Sequence, residues 1–127
     1  MILIINTSDN NQIELILEKD GLVFKRKKFL ARRQQAEKLL PAIDKLLKLA
    51  NCSLKSINKI KVVHQGDSFT SLRIGILTAN ALAYALGIKI ETVNFTKKNI
   101  KSLGDFDIVI PAYNHNPDIK IKNNEVV

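Results

Sequence analysis

The chain has 127 residues, enough for one ordinary domain, and 46% of them are hydrophobic, which excludes a disordered tail. Cys52 is the only cysteine, so there is no internal disulfide framework and the composition fits a reducing compartment; with no reactive partner nearby in sequence it reads as a bystander. The formal net charge is +8. Lys25, Arg26, Lys27, Lys28, Arg32 and Arg33 fall within nine residues with no acid among them. This segment is either a solvated edge strand guarded by lysines or a phosphate-facing patch that contacts RNA.

Met1-Ile-Leu-Ile-Ile5 is too short for a signal peptide or a membrane span and reads as a buried first strand, residues 1–6. A soluble, cytoplasmic protein is expected. Residues 12–18 form a second strand, and Asp20-Gly21 turns the chain into a third, 22–30. Helical spacing of Ala36, Leu39, Leu40, Ile43, Leu46, Leu47 and Ala50 predicts a helix over 32–50, with Pro41 as a kink point. A fourth strand follows at 59–64. The next helix spans 69–86, from a Ser68 N-cap to a Gly87 stop. Residues 88–94 are a fifth strand, 96–104 a polar basic link and 106–110 a further apolar run. From Pro111 on, the chain should be extended or irregular.

The order β-β-β-α-β-α-β predicts an α/β fold, a mixed sheet with helices packed on it, as in ribonuclease-H-like and actin-like ATPase lobes. The division is one lobe, 1–110, and a tail, 111–127. The 69–86 helix is apolar on nearly every side, so neighbours are expected on more than one side. Ser71, Gly75, Ala79 and Ala83 recur every four residues, a row of small side chains that lets another helix approach closely. That helix is either the 32–50 helix of the same chain or one from a partner, and both can hold on different faces. Leu39, Ile43, Leu46 and Leu47 on one helix, with Ser71, Leu72, Gly75, Ala79, Leu82 and Ala83 on the other, make up the expected partner interface.

Residues 68–75, Ser-Phe-Thr-Ser-Leu-Arg-Ile-Gly, resemble the central motif Gly-Pro-Gly-Ser-Phe-Thr-Gly-Leu-Arg-Ile-Gly of the TsaB (YeaZ) family, matching at Ser68, Phe69, Thr70, Leu72, Arg73, Ile74 and Gly75. Thr7 and Ser8, Leu39-Leu40-Pro41, Ile43-Asp44 and the stretch from Ala83 to Ile88 also fit, so the resemblance covers residues 1–93. Gln65-Gly66-Asp67 stands in place of Gly-Pro-Gly, Ser71 in place of Gly, and Asn6 where relatives carry Asp. A minimal version without the second actin-like lobe of family members is expected from the chain's length, with Pro111-Ala-Tyr113 resembling their C-terminal segment.

The resemblance implies a non-catalytic scaffold for threonylcarbamoyladenosine (t6A) modification of tRNA. Its partner would be a TsaD-like catalytic subunit docked on the two helices. A TsaE-like ATPase, homodimers, and tRNA contact through the complex also belong to that expectation. No cofactor, metal site, catalytic residue or membrane partner is expected. Asn6 cannot supply a metal-positioning carboxylate, there is no G-x-x-x-x-G-K-[ST] loop, and only Asp9, Glu14 and Asp67 could converge. His64 and His115 are far apart in sequence, with His64 read as a packed residue. Ser68 and Thr70 read as capping or loop-bonding groups, and Arg73 as an ion-pair partner. A basic RNA-binding module is the alternative, and a small nucleotide-dependent enzyme a third reading.

Overall fold

The computed structural model describes residues 1–66, 68–93 and 100–113. Strands β1 (Ile2–Asn6), β2 (Gln12–Lys19) and β3 (Leu22–Leu30) form the expected antiparallel meander. Asp20 (φ 55°) and Gly21 (φ 79°) supply the two successive left-handed residues that a tight hairpin needs. Helix α1 (Gln35–Leu49) leads to β4 (Lys59–Val62), which joins β1 in parallel. After a two-residue strand β5 (Gln65–Gly66) comes helix α2 (Phe69–Leu86), then β6 (Lys89–Thr92), parallel to β4. The five-stranded sheet has the order β3-β2-β1-β4-β6.

Strand alternation divides this sheet into two unlike faces. Leu3, Ile5, Ile13, Leu15, Leu17, Ile60, Val62 and Ile90 point to one side and form a single buried core with Leu39, Ile43, Leu46 and Leu47 of α1 and Leu72, Ile76 and Ala79 of α2. The other side is charged. Lys59 pairs with Glu91 at 3.1 Å and Arg26 with Glu14 at 3.6 Å, and these flank the central Ile4 and Ile16. Both helices therefore cover one face, and the other meets water through ion pairs.

Helix α1 starts three residues later than its periodicity predicts. Arg33 is left-handed (φ 57°), and Gln34 N–H bonds back to Ala31 O at 2.9 Å, so residues 31–34 form a turn rather than a first helical turn. Pro41 is exposed and α1 runs through it unbroken. Helix α2 matches its expected span. The Ser68 hydroxyl accepts from Ser71 N–H at 3.3 Å, and Gly87 (φ 66°) ends the helix, with Ile88 N–H returning to Ala83 O at 3.0 Å.

Residues 96–99 of the expected link lie outside the described residues, and the rest of it is not separate from the 106–110 run. Among the described residues they form a hairpin of β7 (Ile100–Ser102) and β8 (Asp107–Val109), turning at Gly104 (φ 87°). Of the residues after Pro111, Ala112 and Tyr113 are described, and they pair with the lobe. β9 (Ala112–Tyr113) runs parallel to β5, and Ala112 N–H donates to His64 O at 2.8 Å. The rest of the expected tail, 114–127, lies outside the described residues.

Candidate functional site

The end of β1, the β5 segment and the first half of α2 form one packed unit. The buried Thr7 hydroxyl donates to the Ser71 carbonyl at 2.6 Å, across 64 residues of sequence. A Cβ added at Gly75 would overlap the Thr7 side chain. At Gly66 an added Cβ would lie 2.7 Å from Ser8 Cβ and 3.0 Å from Ser8 O. Both glycines are thus required by close approach rather than by backbone angle, since neither has positive φ. Gln65 and Ser71, which depart from the glycine-rich motif, have ordinary φ as well, and Ser71 is buried within the helix. Asp67 lies outside the described residues. Ser68 caps α2 as expected, Thr70 is exposed, and the Arg73 guanidinium sits 5.6 Å from the Phe69 ring centroid. Arg73 makes this cation–π contact within the lobe, and among the described residues none of the ion pairs involves it.

Asn6 is tied into the β1 turn. Its Oδ1 accepts from Ser8 N–H (3.0 Å) and Ser8 O–H (2.7 Å), and its Nδ2 donates to Glu14 at 3.5 Å. Asp9 accepts from Asn11 N–H at 2.8 Å, and Glu14 also faces Arg26. Among the described residues no three His, Cys, Asp or Glu side chains come together in a group able to hold a metal. His64 is buried, as a packed residue should be, and His115 lies outside the described residues. Cys52 is half-buried, its Sγ 3.3 Å from Ala50 O.

The helix residues expected at a partner interface are mostly in the lobe's own core. Leu39, Ile43, Leu46, Leu47, Ser71, Leu72, Gly75, Ala79 and Ala83 are all buried, and only Leu82 of that group is partly open. The physical reason is the Thr7–Gly75 contact. The small-residue row brings α2 close to its own sheet, not to a foreign helix. By length and composition α2 also matches a membrane span, but that buried row is the pattern of a core helix. The outward side of the helix pair is a different set. Leu40 (53% exposed), Leu77 (61% exposed), Thr78, Ala81, Leu82 and Ala85 line an apolar groove of about 400 Å³.

The basic segment is also divided. Lys25 and Lys27 lie opposite Leu17 and Leu15 on the helix side of β3, whereas Arg26 and Lys28 lie opposite Ile16 and Glu14 on the open face. A strand cannot present consecutive cations as one patch. Lys27 lies 5.9 Å from the Phe29 ring centroid, and Arg26 pairs with Glu14. Arg32 and Arg33, beyond the strand, behave differently. They rim a cleft of about 490 Å³ that Ser68 and Thr70 also line, so the last two basic residues meet the signature loop.

Asn80 was missed by the sequence reading. Its Oδ1 accepts from Val109 N–H at 2.8 Å and its Nδ2 donates to Val109 O at 3.1 Å, so one side chain acts as a strand neighbour for β8. The available signal was a lone amide in the interior of a mostly apolar helix.

A family model described as TsaD, tRNA N6-adenosine threonylcarbamoyltransferase, matches residues 4–104. The tRNA N6-adenosine threonylcarbamoyltransferase of Geotalea uraniireducens (strain Rf4) is 34% identical over 74 residues, 58% of this chain and 22% of that protein. YeaZ from Pseudomonas aeruginosa superposes with a TM-score of 0.66 at 27% identity, over 72% of this chain and 42% of that one. A second solved structure, described as an uncharacterized protein with similarity to peptidase YeaZ from the same organism, gives 0.67 with the same identity and coverage. The chain thus spans less than half the length of each of these relatives.

Proposed function

The chain belongs to the TsaD family, of which it is a TsaB (YeaZ)-like member, and from that premise we propose that it is a non-catalytic adaptor in t6A modification of tRNA. In this reading it docks a TsaD-like catalytic subunit in the cytoplasm and does no chemistry itself. The observation that carries it is the outward groove of the helix pair. Leu40 and Leu77 are more than half exposed and continue through Ala81, Leu82 and Ala85, an apolar surface that the lobe leaves open. A non-catalytic role is supported by Asn6, an uncharged amide engaged by Ser8 and Glu14 at the end of β1, which supplies no carboxylate there. A TsaE-like ATPase and a homodimer through the same groove belong to the proposal, and the groove cannot serve homodimer and heterodimer at once.

The experiment is light-scattering size analysis of the chain, alone and mixed with the TsaD-like protein of the same source. Wild type should form a stoichiometric complex. Leu77→Arg and Ala85→Arg, both at exposed positions, should abolish it while leaving the thermal midpoint unchanged. Wild-type association by both variants would remove this surface from consideration. If no complex forms with wild type, the adaptor role itself fails.

A further inference from the structure

We propose that the cleft between the β3–α1 turn and the start of α2 binds a nucleotide, its phosphate on Arg32 and Arg33 and a sugar hydroxyl or base amino group on the Gln35 side-chain carbonyl. The β5 segment, the open sheet face and the helix groove play no part in it.

Charge points to the phosphate. Two consecutive guanidiniums rim a concavity of about 490 Å³, and no carboxylate lines it among the described residues. Arg32 gives its Nε to Asn11 Oδ1 at 3.2 Å, which leaves the terminal nitrogens of its fork for a bidentate oxyanion contact. Arg33 has no ion-pair or hydrogen-bond partner among the described residues. Its left-handed backbone (φ 57°) is uncommon for a side chain of this size. That turn places two neighbouring arginines and the first turn of α1 on one rim. Ser68 and Thr70 add hydroxyls from the opposite wall.

Gln35 makes the ligand more than an anion. It is only 4% exposed, and its Nε2 donates to Asn10 O, which orients the amide. Its Oε1 receives no donor among the described residues, although buried amide oxygens are normally satisfied. Phosphate oxygens held by the two arginines act chiefly as acceptors, whereas a ribose hydroxyl or an exocyclic amino group beside them can donate to the Gln35 carbonyl. Ala36 and Ile74 give the cleft an apolar stretch on which a base or sugar ring can rest, and the volume falls within the range of small-ligand sites. A nucleotide supplies the anion, the donor and the flat apolar face together. It can come as a free monophosphate or as one residue of an RNA strand.

The test titrates the full chain with AMP, with adenosine and with an unmodified tRNA transcript, at one fixed low salt concentration, by calorimetry or fluorescence polarisation. AMP should saturate and adenosine should bind far more weakly. Arg32→Gln/Arg33→Gln should weaken AMP by roughly tenfold to hundredfold, the loss of one or two charge-assisted bonds, at an unchanged thermal midpoint. Gln35→Met should weaken AMP as well, and the exposed arginine pair keeps the test decisive if that buried substitution unfolds the chain. tRNA displacing AMP identifies the RNA strand as the source, and AMP binding indifferent to tRNA identifies the free nucleotide. Saturable tRNA binding that depends on Arg32 and Arg33 supports the site even where AMP is weak. The proposal is overturned if neither AMP nor tRNA saturates, if Arg32→Gln/Arg33→Gln binds as wild type, or if Lys27→Gln/Lys28→Gln on β3 costs as much. None of these readouts involves the TsaD-like partner, so failure here and failure of the adaptor reading are separate results.

Discussion

Gly75→Ala tests the contact that fixes α2 on the sheet. In an isolated helix the change would stabilise by about 1 kcal/mol, because glycine is a poor helix residue. Here the new methyl would occupy the position of the Thr7 hydroxyl, which donates to Ser71 O at 2.6 Å in the buried interior. Thr7 must rotate away or α2 must lift. Rotation strands a buried hydroxyl at about 1–3 kcal/mol, and forcing an extra carbon into a packed interior adds about 1–3 kcal/mol. The net is a destabilisation of about 1–5 kcal/mol, with roughly 3 as the central expectation. At about 3–5 °C per kcal/mol for a domain of this size, the thermal midpoint should fall by roughly 9–15 °C. Circular dichroism followed through urea unfolding measures the free-energy change, and through a thermal melt the midpoint. The double variant Thr7→Ala/Gly75→Ala sharpens the test. With the hydroxyl and the Thr methyl gone, the added carbon meets mainly the residue-7 Cβ, at 3.1 Å, and most of the loss should be recovered relative to Thr7→Ala alone. A Gly75→Ala protein as stable as wild type, or a double variant whose losses simply add, would refute the reasoning.

Three further outcomes follow from other contacts. Asn80→Leu keeps the branched side-chain outline but leaves both polar groups of Val109 without their partner, so it should cost about 2–4 kcal/mol and remove the hydrogen-exchange protection of the Val109 amide. Gly66→Ala should cost about 1–3 kcal/mol in denaturant unfolding, because its Cβ would press on Ser8 backbone as well as side chain, and Ser8→Gly should restore only part of it. Ala79→Arg, at a fully buried position, should give a chain without a cooperative melting transition; a folded Ala79→Arg protein would mean that α2 is not packed as described.

Elements whose ends carry their own chemistry were legible in the sequence. Helix α2 matches to the residue because Ser68 can cap and Gly87 can take a left-handed angle, both local properties. The meander was legible because Asp20-Gly21 admits few other conformations. The start of α1 was not, since nothing in Arg32-Arg33 announces a left-handed arginine; the turn is held by Asn11, in the bend before β2, whose carbonyl takes Ala31 N–H at 2.8 Å. The β7–β8 hairpin was missed for a related reason. Its strands have three residues each, too short for alternation to show, and β8 is held by an amide on α2.

The candidate surfaces show the same division between what a pattern states and what it leaves open. Spacing of four in Ser71, Gly75, Ala79 and Ala83 says that something comes close to that row. It does not say whether the visitor is a helix, a sheet or a threonine hydroxyl, and here it is Thr7 with the sheet behind it. Burial of that row then decides the other side of α2. A helix that buries its small residues together with Leu72 and Ile76 turns the opposite side outward, and Leu77, Ala81 and Ala85 lie there. The basic run obeys the same logic. Six cations in nine residues look like one patch in sequence, but strand geometry sends four of them to opposite faces, and only the two that follow the strand share a cleft. The proposed docking groove and the proposed phosphate cleft are thus set apart by the period of the elements that carry them, and a substitution in one should leave the other intact.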